Sequence, residues 1–133
     1  MLLTVAVALI LHFIADFILQ SNEMAIKKSQ EPLVLLKHCG IHLGVFFFGF
    51  VLLHGLIGAF LIALANAALH AVIDWNVWRA YKRWVQKKYP GMTTQEQVMK
   101  DDSARHWFFV TIGFDQLLHG LSIILAIFLL GEI

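Results

Sequence analysis

The chain of 133 residues is poor in charged side chains and in cysteine, and each scarcity excludes a class of protein. Only 14% of its residues are charged, 59% are hydrophobic, and the mean hydropathy is +0.75. This is too apolar for a soluble domain of this size, and the length allows one domain, residues 1–133. The lone Cys39 cannot form an intrachain disulfide. With a net charge of only +1, we expect no nucleic-acid partner.

The first twenty residues lack the marks of a cleaved secretory signal, although they are apolar. They have no basic segment at their start and no clear small-x-small cleavage site, and they carry His12 and Asp16. We therefore interpret them as a permanent membrane span.

Four apolar stretches are long enough to cross a bilayer, which takes about 20 residues each. They cover approximately residues 2–20, 33–53, 56–77 and 107–130. The very short turn between the second and third stretches requires an antiparallel hairpin. The sequence thus predicts an all-α, multi-pass membrane protein built as a four-transmembrane-helix bundle.

The ten basic residues are confined to two loops. Three follow the first span and seven lie in the 78–106 loop between spans 3 and 4. They are Lys27, Lys28, Lys37, Arg79, Lys82, Arg83, Lys87, Lys88, Lys100 and Arg105. Because basic loops stay in the cytoplasm, the N- and C-termini are expected outside.

The 78–106 loop is expected to hold helical, amphipathic structure at the lipid surface. Its first part alternates aromatic with basic residues, Pro90 and Gly91 interrupt it, and Thr94 with Gln97 fits a capping box before a short helix. The basic stretch is interpreted as a topology signal and headgroup anchor. The alternative is that it draws in an anionic substrate.

Every predicted span carries one pair of ionisable residues spaced i,i+4. The pairs are His12/Asp16, His38/His42, His70/Asp74 and Asp115/His119. Such residues are costly at membrane depth and usually mark a functional site, and the i,i+4 spacing places both members on one helix face. With the predicted orientation, all eight fall in the cytoplasmic half, so we expect one shared site.

Imidazole and carboxylate groups together are the ligands of divalent transition metals. Eight donors exceed the four of a tetrahedral zinc site, so we expect one or two ions of Zn, Fe or Mn. Gln20, Asn66 and Gln116 could support the ligands, contact a substrate or bond between helices. The alternative for the whole cluster is a metal-free network of Asp–His hydrogen bonds.

The sequence resembles a bacterial and phage family of small multi-span membrane proteins catalogued as a domain of unknown function. The resemblance rests on HxxxDFxxQ from His12, the Lys27/Lys28 loop, HxxxH from His38, HxxxD from His70 and DQxxH from Asp115. It implies residence in the bacterial cytoplasmic (inner) membrane. A looser similarity to inner-membrane metal-dependent hydrolases implies hydrolysis as the chemistry.

The leading hypothesis is a metal-dependent hydrolase acting on a lipid or lipid-linked phosphate at the cytoplasmic side. The alternatives are a metal-ion or proton conduit, a redox metalloprotein and a structural polar network. The outer halves, residues 45–53 and 123–130, hold no ionisable group, which disfavours a conduit unless an oligomer completes the path. Small residues allow close helix approach within one chain or in a homo-oligomer. They are Gly40, Gly44, Ala63, Ala67, Ala71 and Gly113.

Overall fold

The computed structural model describes residues 2–130, which are helical throughout with short connections and form no strand in that range. The helices are α1 (Leu2–Phe13), continued by a π-helical turn (Ile14–Ile18), α2 (Asn22–Lys27), α3 (Pro32–Lys88), α4 (Thr94–Lys100) and α5 (Asp102–Leu130). The all-α prediction is thereby confirmed. The ends of the predicted domain, residue 1 and residues 131–133, lie outside the described residues.

α3 doubles back on itself at Gly55, within the turn that the sequence predicts. Gly55 has φ 65° and ψ −179°, a conformation that only glycine adopts without strain. The ring centroids of His38 and His42 lie 4.9 and 3.7 Å from that of His70, so residues before and after the break meet. The first arm of α3, residues 32–54, therefore runs antiparallel to its second arm, residues 56–88.

The second arm continues as helix beyond the apolar span, where the sequence predicts helical, amphipathic structure in the first part of the 78–106 loop. It ends at Lys88, just before Pro90 and Gly91, whereas the apolar span itself is expected to end near residue 77, and α5 begins at Asp102, ahead of the span expected from residue 107. Tyr81 is buried there, and its hydroxyl donates to the Ala104 carbonyl at 3.1 Å. This contact ties the second arm of α3 to the start of α5.

The capping box of α4 lies one residue before the predicted position. Thr93, and not Thr94, is the N-cap: its Oγ1 accepts from the Glu96 amide at 3.3 Å, and Glu96 accepts from the Thr93 amide at 2.8 Å. Gln97 instead donates to the carbonyls of Tyr89 and Met92. The sequence thus correctly predicts a helix that begins with a capping box, but the capping residues are Thr93 and Glu96 instead of Thr94 and Gln97.

An apolar core fills the region between the ionisable residues and the Gly55 turn. Its buried members come from α1, both arms of α3 and α5. They are Ala8, Phe46, Phe50, Ala59, Ile62, Ala63, Ile123 and Ile127. This core seals one end of the helix packing and leaves the polar residues toward the other end.

Gly49, which the sequence did not single out, lies at a close contact between helices. A Cβ on Gly49 would lie 2.5 Å from Leu11 Cδ1, so α1 packs directly on this backbone. Gly40, Gly44 and Gly113, expected at helix contacts, would have nothing within 4 Å of an added Cβ. Close approach within the chain therefore does not use these three glycines.

Candidate metal centre

All eight predicted residues are buried, and seven of them form three adjoining donor groups. None of the eight residues is more than 5% exposed. Within each group, one ligand atom per residue lies within 4.8 Å of the others. The groups are Asp16/His38/His42/His70, His70/Asp74/His119 and Asp16/Asp115/His119. The helices thus bring the predicted pairs together at one place.

The first donor group, Asp16 with His38, His42 and His70, has the dimensions of a four-coordinate metal site. The Nε2 atoms of the three histidines lie 3.1, 3.8 and 3.6 Å from Asp16 Oδ1, and those of His38 and His70 are 2.9 Å apart. Ligands placed about 2.1 Å from a tetrahedral ion are about 3.4 Å from one another. Within the described chain, His42 Nε2 is buried with no hydrogen-bond partner, as expected of a metal ligand. These residues therefore fit a divalent ion.

The second and third groups share residues with the first and lie against it. His70 Nε2 is 2.9 Å from Asp74 Oδ2, and His119 Nε2 is 3.5 Å from Asp74 Oδ1. In the third group, His119 Nε2 lies 3.6 Å from Asp115 Oδ2. The eight residues thus form one continuous cluster in which a ligand of one group supports a ligand of the next.

Asp16 is presented by a π-helical turn. The Leu19 amide donates to the Ile14 carbonyl at 2.9 Å, a bond that spans five residues instead of four. Single π turns inside helices are frequent at functional sites because they redirect side chains. The i,i+4 spacing of His12 and Asp16 gave no signal of this turn, since that pattern assumes an ordinary α-helix.

Lys28 is a member of the centre that the sequence reasoning did not identify as such. Its Nζ lies 3.2 Å from Asp16 Oδ1, 3.0 Å from Asp74 Oδ2 and 3.3 Å from His38 Nε2, and its side chain is 6% exposed. Burial opposes its charged form, but the carboxylates of Asp74 and Asp16 raise the pKa of Lys28 above its ordinary value. In the sequence, Lys28 has the position of a topology lysine, and only the family resemblance connects its loop with the other motifs.

The loop that carries Lys28 is fixed to the second arm of α3. Lys82 Nζ donates to the fully buried Ser29 hydroxyl at 2.8 Å and to the Ile26 carbonyl. At the other end, Ser21 caps α2 by accepting from the Met24 amide at 3.2 Å. These bonds fold the 21–31 segment back over the helices, which brings Lys28 into the cluster.

The amides take different places around the cluster. Gln116 Nε2 donates to Asp16 Oδ2 at 2.9 Å, and Gln116 Oε1 accepts from His12 Nε2 at 3.2 Å. His12 itself belongs to none of the three donor groups, although it lies beside them. Asn66 is 2% exposed, and its Nδ2 has no partner among residues 2–130. Gln116 therefore supports the centre, while Asn66 is enclosed near it.

The centre adjoins a cavity of about 180 Å³, which in turn adjoins a larger one of about 680 Å³. Residues of the centre that line the smaller cavity are Asp16, Lys28, Asp115 and Gln116, with Gln20 beside them. Both cavities share Ala25, Trp78 and Phe108 in their walls. The larger cavity is also lined by Lys82 and by residues 93–95. The two cavities together therefore extend from the centre toward the basic end of the molecule, the end that carries Lys82 and the 78–106 segment.

Fold and site define a helical protein that encloses a buried cluster of histidine, aspartate and lysine able to hold a metal ion. Two of its helices, α3 and α5, are long and apolar enough to cross a membrane. The chain belongs to the family described as "protein of unknown function (DUF3307)", whose model matches residues 4–132. This confirms the predicted membership in a family of unknown function. No curated protein and no solved structure matches the chain.

Proposed function

We propose that the chain is an integral membrane protein whose metal centre hydrolyses a lipid or lipid-linked phosphate at the cytoplasmic side. In this proposal four helices span the bacterial cytoplasmic membrane: α1 with its π turn, the two arms of α3, and α5. Both basic loops face the cytoplasm, and the termini face outward. The observation that carries the proposal is the buried donor cluster beside a cavity that leads to the basic end.

The membrane part of the proposal is supported by the exposure of apolar side chains along the helices. Only 28% of the most apolar 18-residue stretch of α3, and the same share of α5, is buried. Leu52 is 94% exposed, Phe48 76% and Phe128 69%. A soluble helix this apolar would be buried in a core, whereas these surfaces suit lipid.

The metal part is supported by the donor set and its enclosure. Three carboxylates inside a bilayer would be strongly unfavourable with the Lys28 ammonium as their only permanent counter-charge. A divalent ion in the first donor group would supply the remaining positive charge. Imidazole and carboxylate ligands without thiolate favour Zn, Fe or Mn.

The hydrolytic part is supported by the residues that face the smaller cavity. A bound divalent ion would polarise a phosphoryl oxygen and acidify a water molecule. Lys28 and Gln116 line this cavity, so a positive charge and a polar amide lie at the wall beside which an anionic oxygen would bind. Asp115 also lines this cavity, and its Oδ1 has no hydrogen-bond partner within residues 2–130. It is thus placed to orient water or to accept its proton.

A conduit is less well supported because of the apolar core beyond the centre. Phe46, Phe50, Ile62 and Ile123 are at most 1% exposed and close the packing between the cluster and the Gly55 turn. A permeating ion would have to cross this dry layer without a polar group to coordinate it. A site open at one end instead suits a substrate that enters and leaves from the same side.

The first test is elemental analysis of the detergent-purified protein, followed by a thermal unfolding series with added Zn²⁺ or Mn²⁺. We expect bound metal, and a stabilisation of about 2.7 kcal/mol when free metal is a hundredfold above its Kd. Asp16→Ala should release the metal, because Asp16 belongs to two donor groups. His106→Gln, at an exposed histidine outside the cluster, is the matched control. Less than one ion per few chains, with no stabilisation by added metal, would contradict the proposal.

The second test is phosphate release from mixed-lipid vesicles that contain phosphatidic acid and a polyprenyl diphosphate. We expect metal-dependent release that Asp115→Asn reduces by about 10²- to 10⁴-fold, the usual contribution of a general base. His106→Gln should leave the rate unchanged. Metal binding without any release, together with ion flux in sealed vesicles, would favour the conduit.

A further inference from the structure

Lys28 Nζ occupies the kind of position that a second cation would take in this centre. It is 3.2 Å from Asp16 and 3.0 Å from Asp74, which come from the π turn and the second arm. His38 Nε2 of the first arm is 3.3 Å away, and with an ion in the first donor group its lone pair would go to that ion. An ammonium in contact with two carboxylates of different helices compensates one unit of their negative charge at the place where a second ion would lie. Its loop is independently fastened through Lys82, so this placement does not depend on the flexible side chain alone.

One further observation argues against a second divalent ion in the second donor group while Lys28 is in place. The contacts of His70 with Asp16 and with Asp74 both run through Nε2, and an imidazole nitrogen has one lone pair to give to one metal. With His70 bound in the first group, Asp74 and His119 remain in the second, and Asp74 Oδ2 is already paired with Lys28. A second ion in this group would therefore need the position that the Lys28 ammonium occupies.

Charge balance also favours a single divalent ion in the centre. The centre contains three aspartates and one lysine, so one divalent ion brings the formal charge of these groups to zero. Two divalent ions together with the ammonium would leave an excess positive charge in a buried site. Such an excess is costly in a low-dielectric interior.

We propose that the centre binds a single divalent ion in the first donor group and that the Lys28 ammonium serves as its permanent second cation. This inference rests on the proposed function, since it assumes that the cluster binds metal. It makes the centre mononuclear, and it makes Lys28 a charge-balancing residue of the site as well as part of the cavity wall.

The test is the number of Zn²⁺ ions bound per chain at saturation, measured by calorimetry and by elemental analysis after desalting. We expect one ion in the wild type. Lys28→Met, which keeps the length and removes the charge, should bind two, because Asp16 and Asp74 lose their cation. Lys27→Met is the matched control: this neighbouring lysine is 43% exposed and pairs only with Glu23 and Glu31 among the described residues, so one ion is expected.

Two ions in the wild type, or a single ion in a folded Lys28→Met, would overturn the inference while leaving the proposed function intact. No bound ion in the wild type would overturn the proposed function itself. If Lys28→Met fails to fold, Lys28→Arg replaces it: because arginine keeps the charge, this variant should bind one ion, and two ions would contradict the inference.

Discussion

Lys28 Nζ and Asp74 Oδ2 lie 3.0 Å apart, with side chains that are 6% and 0% exposed. Lys28 comes from the segment after α2 and Asp74 from the second arm of α3, so the contact joins two parts of the chain that are distant in sequence. Removing one member of such a buried pair leaves the other charge without compensation, and this is strongly destabilising. The pair therefore links the position of the 21–31 segment to the stability of the helices.

Asp74→Asn should lower the free energy of unfolding by about 3–5 kcal/mol, the usual cost of breaking a buried ion pair. Adding Lys28→Met should recover part of this loss, because the stranded ammonium is removed with it. Thermal unfolding in detergent with a chelator separates this effect from metal binding. Glu23→Gln is the control: it removes the exposed partner of Lys27 and should cost less than about 1 kcal/mol. A loss for Asp74→Asn no larger than for Glu23→Gln would show that the pair is unimportant.

Part of this architecture could be predicted from sequence because it depends on spacing along single helices. The i,i+4 spacing of His70 and Asp74 survives in the structure as a direct contact of 2.9 Å, and the turn at Gly55 falls where the two apolar stretches meet. Helical periodicity fixes which residues share a face before any tertiary contact is known.

Lys28 could not be predicted in the same way, because its position depends on how a loop folds back over the helices. Its contacts depend on Lys82, which lies more than fifty residues away. Basic residues beside a span are also the usual topology signal, so the sequence alone gives no reason to assign Lys28 a second role. The π turn at Asp16 was likewise hidden, since one additional residue in a turn leaves no mark in an apolar stretch.

His42→Gln and His12→Gln should differ sharply in metal affinity, although both remove a buried histidine. His42 belongs to the first donor group, so its loss should abolish tight binding. His12 belongs to no donor group and bonds to Gln116, so its loss should weaken affinity about 10- to 100-fold, as for residues that orient a ligand. Calorimetric titration with Zn²⁺ measures both. Equal loss in the two variants would instead make His12 a ligand.

Gly49→Ala should destabilise the protein by up to about 2 kcal/mol, because its new Cβ would press on the Leu11 side chain at the contact of α1 with α3 and only part of this cost is offset by helix propensity. Gly44→Ala, on the same arm with open space at the Cβ position, should be neutral or stabilising by up to about 1 kcal/mol through its helix propensity. Thermal unfolding of the two variants compares them directly. If both are neutral, α1 does not pack on Gly49.

The capping box of α4 should make this helix sensitive to acid. Hydrogen bonds from the Thr93 amide and hydroxyl hold the pKa of Glu96 below its ordinary value of 4.5. Because the folded-state pKa is lowered, the stabilisation is present above pH 4.5 and is lost as the pH falls through the lowered value. Amide hydrogen exchange of residues 94–100 should show protection that is constant at neutral pH and falls as the pH drops below 4.5. Thr93→Ala should have less protection at pH 6 and a smaller change with acid. An equal acid effect in both chains would locate its cause elsewhere.

Lys82→Met should release the 21–31 segment from the second arm of α3. The ammonium of Lys82 supplies the hydrogen bonds to Ser29 and to the Ile26 carbonyl, and a methionine of similar length fills the space without donating. Loss of about 1–1.5 kcal/mol from these bonds should speed amide hydrogen exchange in the segment about tenfold. Lys87→Met, at an exposed lysine of the same helix, should leave exchange unchanged. Because Lys28 is carried by this segment, Lys82→Met should also weaken binding of an anionic lipid headgroup while leaving the Zn²⁺ donor atoms intact. Normal exchange in Lys82→Met would mean that the Lys28 contacts alone hold the segment in place.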